Sequence, residues 1–262
     1  MLARCNARKG ISIYLRLDSS LGAETASHHT PNTTSDIPDL VPQDRVSQAA
    51  YTHAEEHLQP SVLAHSLRVF LYARGLSARQ HARTEAWHSS ARGHLLFTAC
   101  IFHDFGACSL HDDGEFRFEI EGADAAVSFL KSQGNTSEAD QHEVWVAIAC
   151  HTSPHIGERI SALARIIREA ALLDFHRLSD VQVVNQPPED TSKLFVIEEE
   201  VKQIEALFPR DSIEKVLANS LVAQAQRKGR QGKLLVAAGL AIFESSRAGA
   251  RLAGCKQGIL MN

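Results

Sequence analysis

Between Asp44 and Phe175 the apolar residues recur three and four positions apart, and no stretch sustains an alternation of apolar with polar residues. That period belongs to helices packed on a shared core, and it leaves no segment suited to a half-buried strand. Pro60 fits the first turn of a helix, where its missing N–H costs nothing. Leu63, Leu67, Phe70 and Leu71 then lie on one face of it. The same spacing predicts helices over about 90–104, 120–132, 139–151 and 158–176, and again over about 194–207, 211–227 and 232–248. Gly134-Asn135 is a stop signal for the helix over 120–132, and Thr152-Ser153-Pro154 breaks the chain after the one over 139–151. The expected fold class is all-α.

The chain has 262 residues, of which 44% are apolar, enough for a sizeable core. Residues 1–36 are polar, turn-rich and aperiodic, so they read as a poorly ordered extension ahead of a helical domain over 37–262. Basic residues Arg4, Arg8, Lys9 and Arg16 precede the first acid, Asp18, which leaves organelle targeting as an alternative to a cytoplasmic location. A net charge of −4 gives no general attraction to nucleic acid or anionic membrane. The basic run Arg227-Lys228-Gly229-Arg230 reads as a solvated helix end. No apolar stretch reaches the ~18 residues that span a bilayer. Five dispersed cysteines without a CxxC pair exclude a disulfide framework and fit a reducing compartment. The expected partner is therefore a small molecule, with a homo-oligomer compatible.

Five polar residues stand out because their surroundings are apolar. His103-Asp104 ends the run Phe97-Thr98-Ala99-Cys100-Ile101-Phe102. His65 interrupts an amphipathic helix, His151 ends Ala147-Ile148-Ala149-Cys150, and Asp174 lies within Ala171-Leu172-Leu173-Asp174-Phe175. A single histidine on an apolar face is more often a satisfied core residue than a ligand, and Asp174 alone could cap a helix or pair with a cation. An unpaired buried carboxylate is costly, however, and one cation shared by several helices removes that cost at every position. Imidazoles with carboxylates suit zinc, iron(II) or manganese better than calcium. Gly106 would let the chain turn away from such a site.

The order His65, His103-Asp104, Asp174 resembles the HD superfamily of helical metal-dependent hydrolases. Ile37-Pro38-Asp39, His65-Ser66-Leu67-Arg68-Val69-Phe70, Phe102-His103-Asp104-Phe105-Gly106, Arg117-Phe118-Glu119-Ile120-Glu121-Gly122-Ala123 and Ala147-Ile148-Ala149-Cys150-His151-Thr152 resemble its cyanamide hydratase-like branch, over about residues 37–178. The resemblance implies an HD-type helical bundle whose ion is held by His65, His103, Asp104 and Asp174. Members with two metals carry a histidine four residues before the glycine matching Gly122. Phe118 stands there, so one divalent ion is expected, Zn2+ first and Fe2+ or Mn2+ as alternatives.

The implied reaction is the addition of water to a small nitrile-type substrate, cyanamide giving urea. His151 is the first candidate for moving the proton, since an imidazole titrates near neutrality. Glu121 is the second, although it could equally be a helix N-terminal acid facing the dipole. Thr152 either binds substrate or caps a helix, and Phe118 is placed among the substrate contacts. His155 and His111 read as loop and surface residues. Two other readings remain: an HD phosphohydrolase, for which only Arg68, Arg117, Arg159 and Arg165 lie near the motifs, and a non-catalytic module with a structural metal.

Overall fold

The computed structural model describes residues 40–79, 87–89, 91–111, 113–134, 136–177 and 200–227, all within a unit that begins at Ile37. The expected N-terminal extension, the Ile37-Pro38-Asp39 segment and the 232–248 helix lie outside these residues. Every regular element among them is helical, so the fold is all-α. None of their helices is long and apolar enough to cross a membrane.

The elements are α1 (Arg45–His57), α2 (Pro60–Arg79), α3 (Gly93–Phe102), α4 (Phe118–Gln133), α5 (Glu138–Cys150), the single turn α6 (Gly157–Ile160), α7 (Ala162–Asp174) and α8 (Ile213–Arg227). Residues 200–207 are also helical. Local chemistry sets most of the boundaries. Asp44 caps α1 by accepting from the Ser47 N–H at 2.9 Å, and Ser137 caps α5 through the Asp140 N–H at 3.1 Å. Gly134 closes α4 with φ of 70°, a left-handed position that glycine takes without strain. The single helix expected over 158–176 is two. Ser161 has extended backbone with φ −157° and its hydroxyl accepts from Ala164 N–H, so it ends α6 and caps α7. Two 3-10 turns, Phe105–Ala107 and Ser109–His111, follow α3.

Helix α3 is the centre of the bundle. Leu95 to Phe102 are buried without exception, which is why this segment has no polar face: α1, α2, α4, α5 and α7 all touch it. Burying each of Leu96, Phe97, Ile101 and Phe102 contributes about 1.5–3 kcal/mol against exposure. A polar pair at the end of such a helix, His103-Asp104, is thereby carried into the middle of the protein.

Helix α2 departs from its amphipathic pattern. His65, Ser66 and Arg68 are as buried as Leu67 and Phe70. The reason is long-range: Arg68 donates to the Phe208 and Pro209 carbonyls at 3.0 Å each, so the chain beyond residue 200 covers a face that would otherwise meet water. Gly106 also has a role other than the expected turn. A Cβ there would stand 2.0 Å from the Phe118 carbonyl oxygen and 2.8 Å from the Gly122 nitrogen. Glycine is required for close approach of this turn to α4.

Candidate metal centre

The centre is built where α2, the end of α3 and the end of α5 meet. His65 projects from mid-α2, His103 and Asp104 follow the last turn of α3, and His151 follows α5. All four are at least 96% buried. His65 Nε2 and His103 Nε2 lie 3.0 Å apart, and Asp104 Oδ2 is 3.3 Å from the first and 3.4 Å from the second. Asp104 Oδ1 is 3.5 Å from His151 Nε2.

The second nitrogen of each ring shows which tautomer is present. His103 Nδ1 donates to the Cys100 carbonyl at 2.7 Å, and His151 Nδ1 donates to the Ile148 carbonyl at 2.7 Å. His65 Nδ1 donates to Asp174 Oδ2 at 2.6 Å. With every Nδ1 committed to a proton, the Nε2 atoms carry lone pairs directed at one another and at Asp104. Facing lone pairs at this distance repel unless a cation lies between them. Two imidazole nitrogens and a carboxylate oxygen form the donor set of a borderline divalent ion, and the three residues gather closely enough to hold one.

The charges agree with that reading. Burial pushes His103 down to about 4, with His65 and His151 adding to the fall against the opposing Asp104. Burial also works against a charged His65, but Asp174 and Asp104 overcome it and raise its pKa. Burial would raise Asp104, yet the imidazoles of His103, His151 and His65 hold it well below the usual carboxylate range. Within the cluster, His65 is therefore the imidazole whose protonated form its neighbours favour.

Asp174 was expected among the ligands, and the structure places it differently. Its carboxylate is on the Nδ1 side of His65, away from Nε2, and Arg68 binds both oxygens, Oδ1 from Nε at 2.6 Å and Oδ2 from Nη2 at 2.9 Å. Arg210 adds a contact to Oδ1 at 3.8 Å. An oxygen on the far edge of an imidazole cannot share an ion with the near edge. In this arrangement Asp174 orients and polarises His65.

A small cavity of about 20 Å3 opens beside the cluster, lined by His103, Asp104, Phe118, His151 and the apolar Ala171, Phe175, Leu217 and Leu221. Phe118 stands edge-on to His151 with ring centroids 5.9 Å apart. Leu217 and Leu221 come from α8, whose role the sequence left open; Gln224 of the same helix donates to the Gly106 carbonyl at 2.8 Å. Helix α8 is thus a wall of the site.

Glu121 and Thr152 do not reach the cavity. Glu121 accepts from the Phe116 N–H at 3.0 Å and lies 3.5 Å from His111 Nδ1, on a different groove of the protein. The Thr152 hydroxyl donates to Glu119 and accepts from Arg117 at 3.1 Å, which ties the turn after α5 to the start of α4. Glu119, 1% exposed, was missed by the sequence reading. It lies two residues before Glu121, on another side of the same helix, and only a clear apolar moment for α4 would have separated them. Arg168 was missed too: it pairs with Glu158 and donates to the His151 carbonyl at 3.1 Å, fixing the end of α5. His155 is exposed.

Residues 62–174 match the HD domain family, whose members are in general metal-dependent hydrolases. The match spans His65, His103, Asp104, His151 and Asp174 and ends before α8. No curated protein matches the chain.

Proposed function

We propose that the protein adds water to a small, uncharged substrate with a carbon–nitrogen triple bond, and that cyanamide, giving urea, represents the class. The observation that carries this reading is the cavity beside the cluster. It is small, and among the described residues its wall beyond the two histidines and Asp104 is apolar, with neither lysine nor arginine lining it. A phosphomonoester brings charge that proteins usually meet with Arg or Lys. Arginines around the centre among the described residues are engaged elsewhere: Arg68 with Asp174, Arg117 with Glu119, Arg168 with Glu158, and Arg210 with Glu205 and Glu214. Phosphohydrolysis is accordingly the second reading.

His65, His103 and Asp104 would hold one divalent ion, zinc in our assignment, through Nε2, Nε2 and a carboxylate oxygen. Such an ion supplies a nucleophile at neutral pH by lowering the pKa of water to about 7. Three protein donors leave a coordination position for substrate chemistry, where a structural site is normally closed. His151 handles the proton. Its Nδ1 is held by the Ile148 carbonyl, so Nε2 is the exchanging position, at the cavity wall. As the carbon–oxygen bond forms and one π bond of the nitrile breaks, the His151 Nε2 lone pair takes a proton from the attacking water and hands it to the nitrile nitrogen, and the isourea so formed tautomerises to urea. Phe118, Phe175, Leu217 and Leu221 exclude bulk water and select for small size.

The test is urea formation from cyanamide by zinc-loaded protein beside Asp104→Ala. Urea from the wild type alone supports the assignment. No urea from protein with confirmed metal content removes it, and phosphate release from nucleotides by the same sample would favour the second reading.

A further inference from the structure

A second group of donors lies on α1, outside the centre described above. His53, Glu56 and His57 occupy positions i, i+3 and i+4 of the helix, so they share one face. One donor atom from each lies within 4.8 Å of the others. The rings are set by packing: His53 stacks on Phe105 at 5.2 Å and on Phe102 at 5.8 Å between centroids, and His57 rests against His53 at 4.5 Å. His57 Nδ1 donates to the His53 carbonyl at 2.7 Å, which leaves its Nε2 lone pair outward. Both histidines are half-buried and Glu56 is exposed. His53 and Glu56 line an open groove of about 830 Å3 together with Phe105, His111 and Glu121.

We propose that His53, Glu56 and His57 form a second, exchangeable site for a borderline divalent cation such as zinc, copper(II) or nickel(II). Two imidazoles and one carboxylate match the preference of these ions over calcium or magnesium. Two of the three donors are pre-oriented by ring packing, so little side-chain freedom is lost on binding. Partial exposure and only three protein donors make the site weaker than the buried one and leave positions for water or for a ligand in the groove. Because His53 packs on Phe102 and Phe105, the neighbours of His103-Asp104, an ion here would stiffen the same turn that carries the buried centre.

Equilibrium dialysis of the full chain against zinc, with metal counted by atomic absorption, tests this by difference, since other histidines can also bind the ion. The variant His53→Gln/His57→Gln is expected to bind one equivalent less than wild type at saturating zinc, while His65→Ala/His103→Ala keeps that equivalent. Cobalt(II) in the latter variant should show visible d–d absorption that Glu56→Gln weakens. Should the double substitution disturb helicity, His57→Gln alone, on a half-exposed side chain, is expected to lower the affinity of that equivalent at least tenfold. Equal zinc binding by wild type and His57→Gln would overturn the proposal.

Discussion

His65 Nε2 and His103 Nε2 face each other across 3.0 Å in the interior of the protein. Each ring has its other nitrogen committed, one to Asp174 and one to the Cys100 carbonyl. This pair is stable only with positive charge between the rings, a proton or a metal ion. Ion binding therefore competes with a proton at His65, whose pKa Asp174 and Asp104 raise against burial. Zinc titrations by calorimetry in buffers of different ionisation enthalpy should show proton release. Affinity should fall as pH drops through the raised His65 value, because the protonated form is the competitor. Binding without buffer-dependent heat would contradict this.

Asp174 tests how the centre is supported. Asp174→Asn keeps the shape but removes the charge that meets Arg68, Arg210 and His65. An uncompensated buried Arg68 should cost about 3–5 kcal/mol in denaturant unfolding. Zinc affinity should fall about 10–100-fold with the stoichiometry of the buried centre unchanged, as for the loss of a residue that orients a ligand. If the ion were lost outright, as for Asp104→Ala, Asp174 would be a direct ligand.

Gly106 should tolerate no side chain. The added Cβ of Gly106→Ala would meet backbone atoms of Phe118 and Gly122, which cannot rotate away. A destabilisation of about 1–3 kcal/mol or more is expected, together with weaker zinc binding, because the same turn carries Asp104. Thermal unfolding with metal counting checks both; an unchanged midpoint would refute the close-approach argument.

Glu158 gives a pH signature away from the metal centre. Burial alone would raise its carboxyl, but the hydrogen bond and charge of Arg168, with backbone hydrogen bonds at Glu158 and His155, together outweigh that and hold it below its ordinary 4.5. The unfolded chain thus binds its proton more readily, so this pair adds stability above about pH 4.5 and loses it as pH falls through the depressed folded value. Comparing wild type with Glu158→Gln in denaturant at pH 3–7, the variant should be the less stable at neutrality and show a shallower acid-side slope. Parallel pH profiles would show that the pair contributes nothing to acid sensitivity.

Much of the fold was legible in the residues. Helix α3 was visible because an apolar run needs burial all round, and its polar end, His103-Asp104, was conspicuous for the same reason. Caps such as Ser137 and the stop at Gly134 are chemistry of a few adjacent residues. Ser161 was legible in principle, as a capping residue inside an apolar stretch, but the periodicity running through it concealed the break. Glu119 and Glu121 look equivalent in sequence; only the register of α4 against the turn after α5 buries the first and turns the second toward another groove.

By itself the sequence determined, for most of the described residues, which segments are helical and which polar residues had to be carried inside, because helix formation and capping depend on neighbours within one or two turns. Tertiary structure alone decided which nitrogen of each histidine faces the centre, that Asp174 stands behind His65, that Arg68 is buried by the chain at Phe208 and Pro209, and that Leu217 and Leu221 wall the cavity. Those relations join residues more than a hundred positions apart in several cases. Local periodicity marks a face that must be covered, but what covers it depends on how the helices pack.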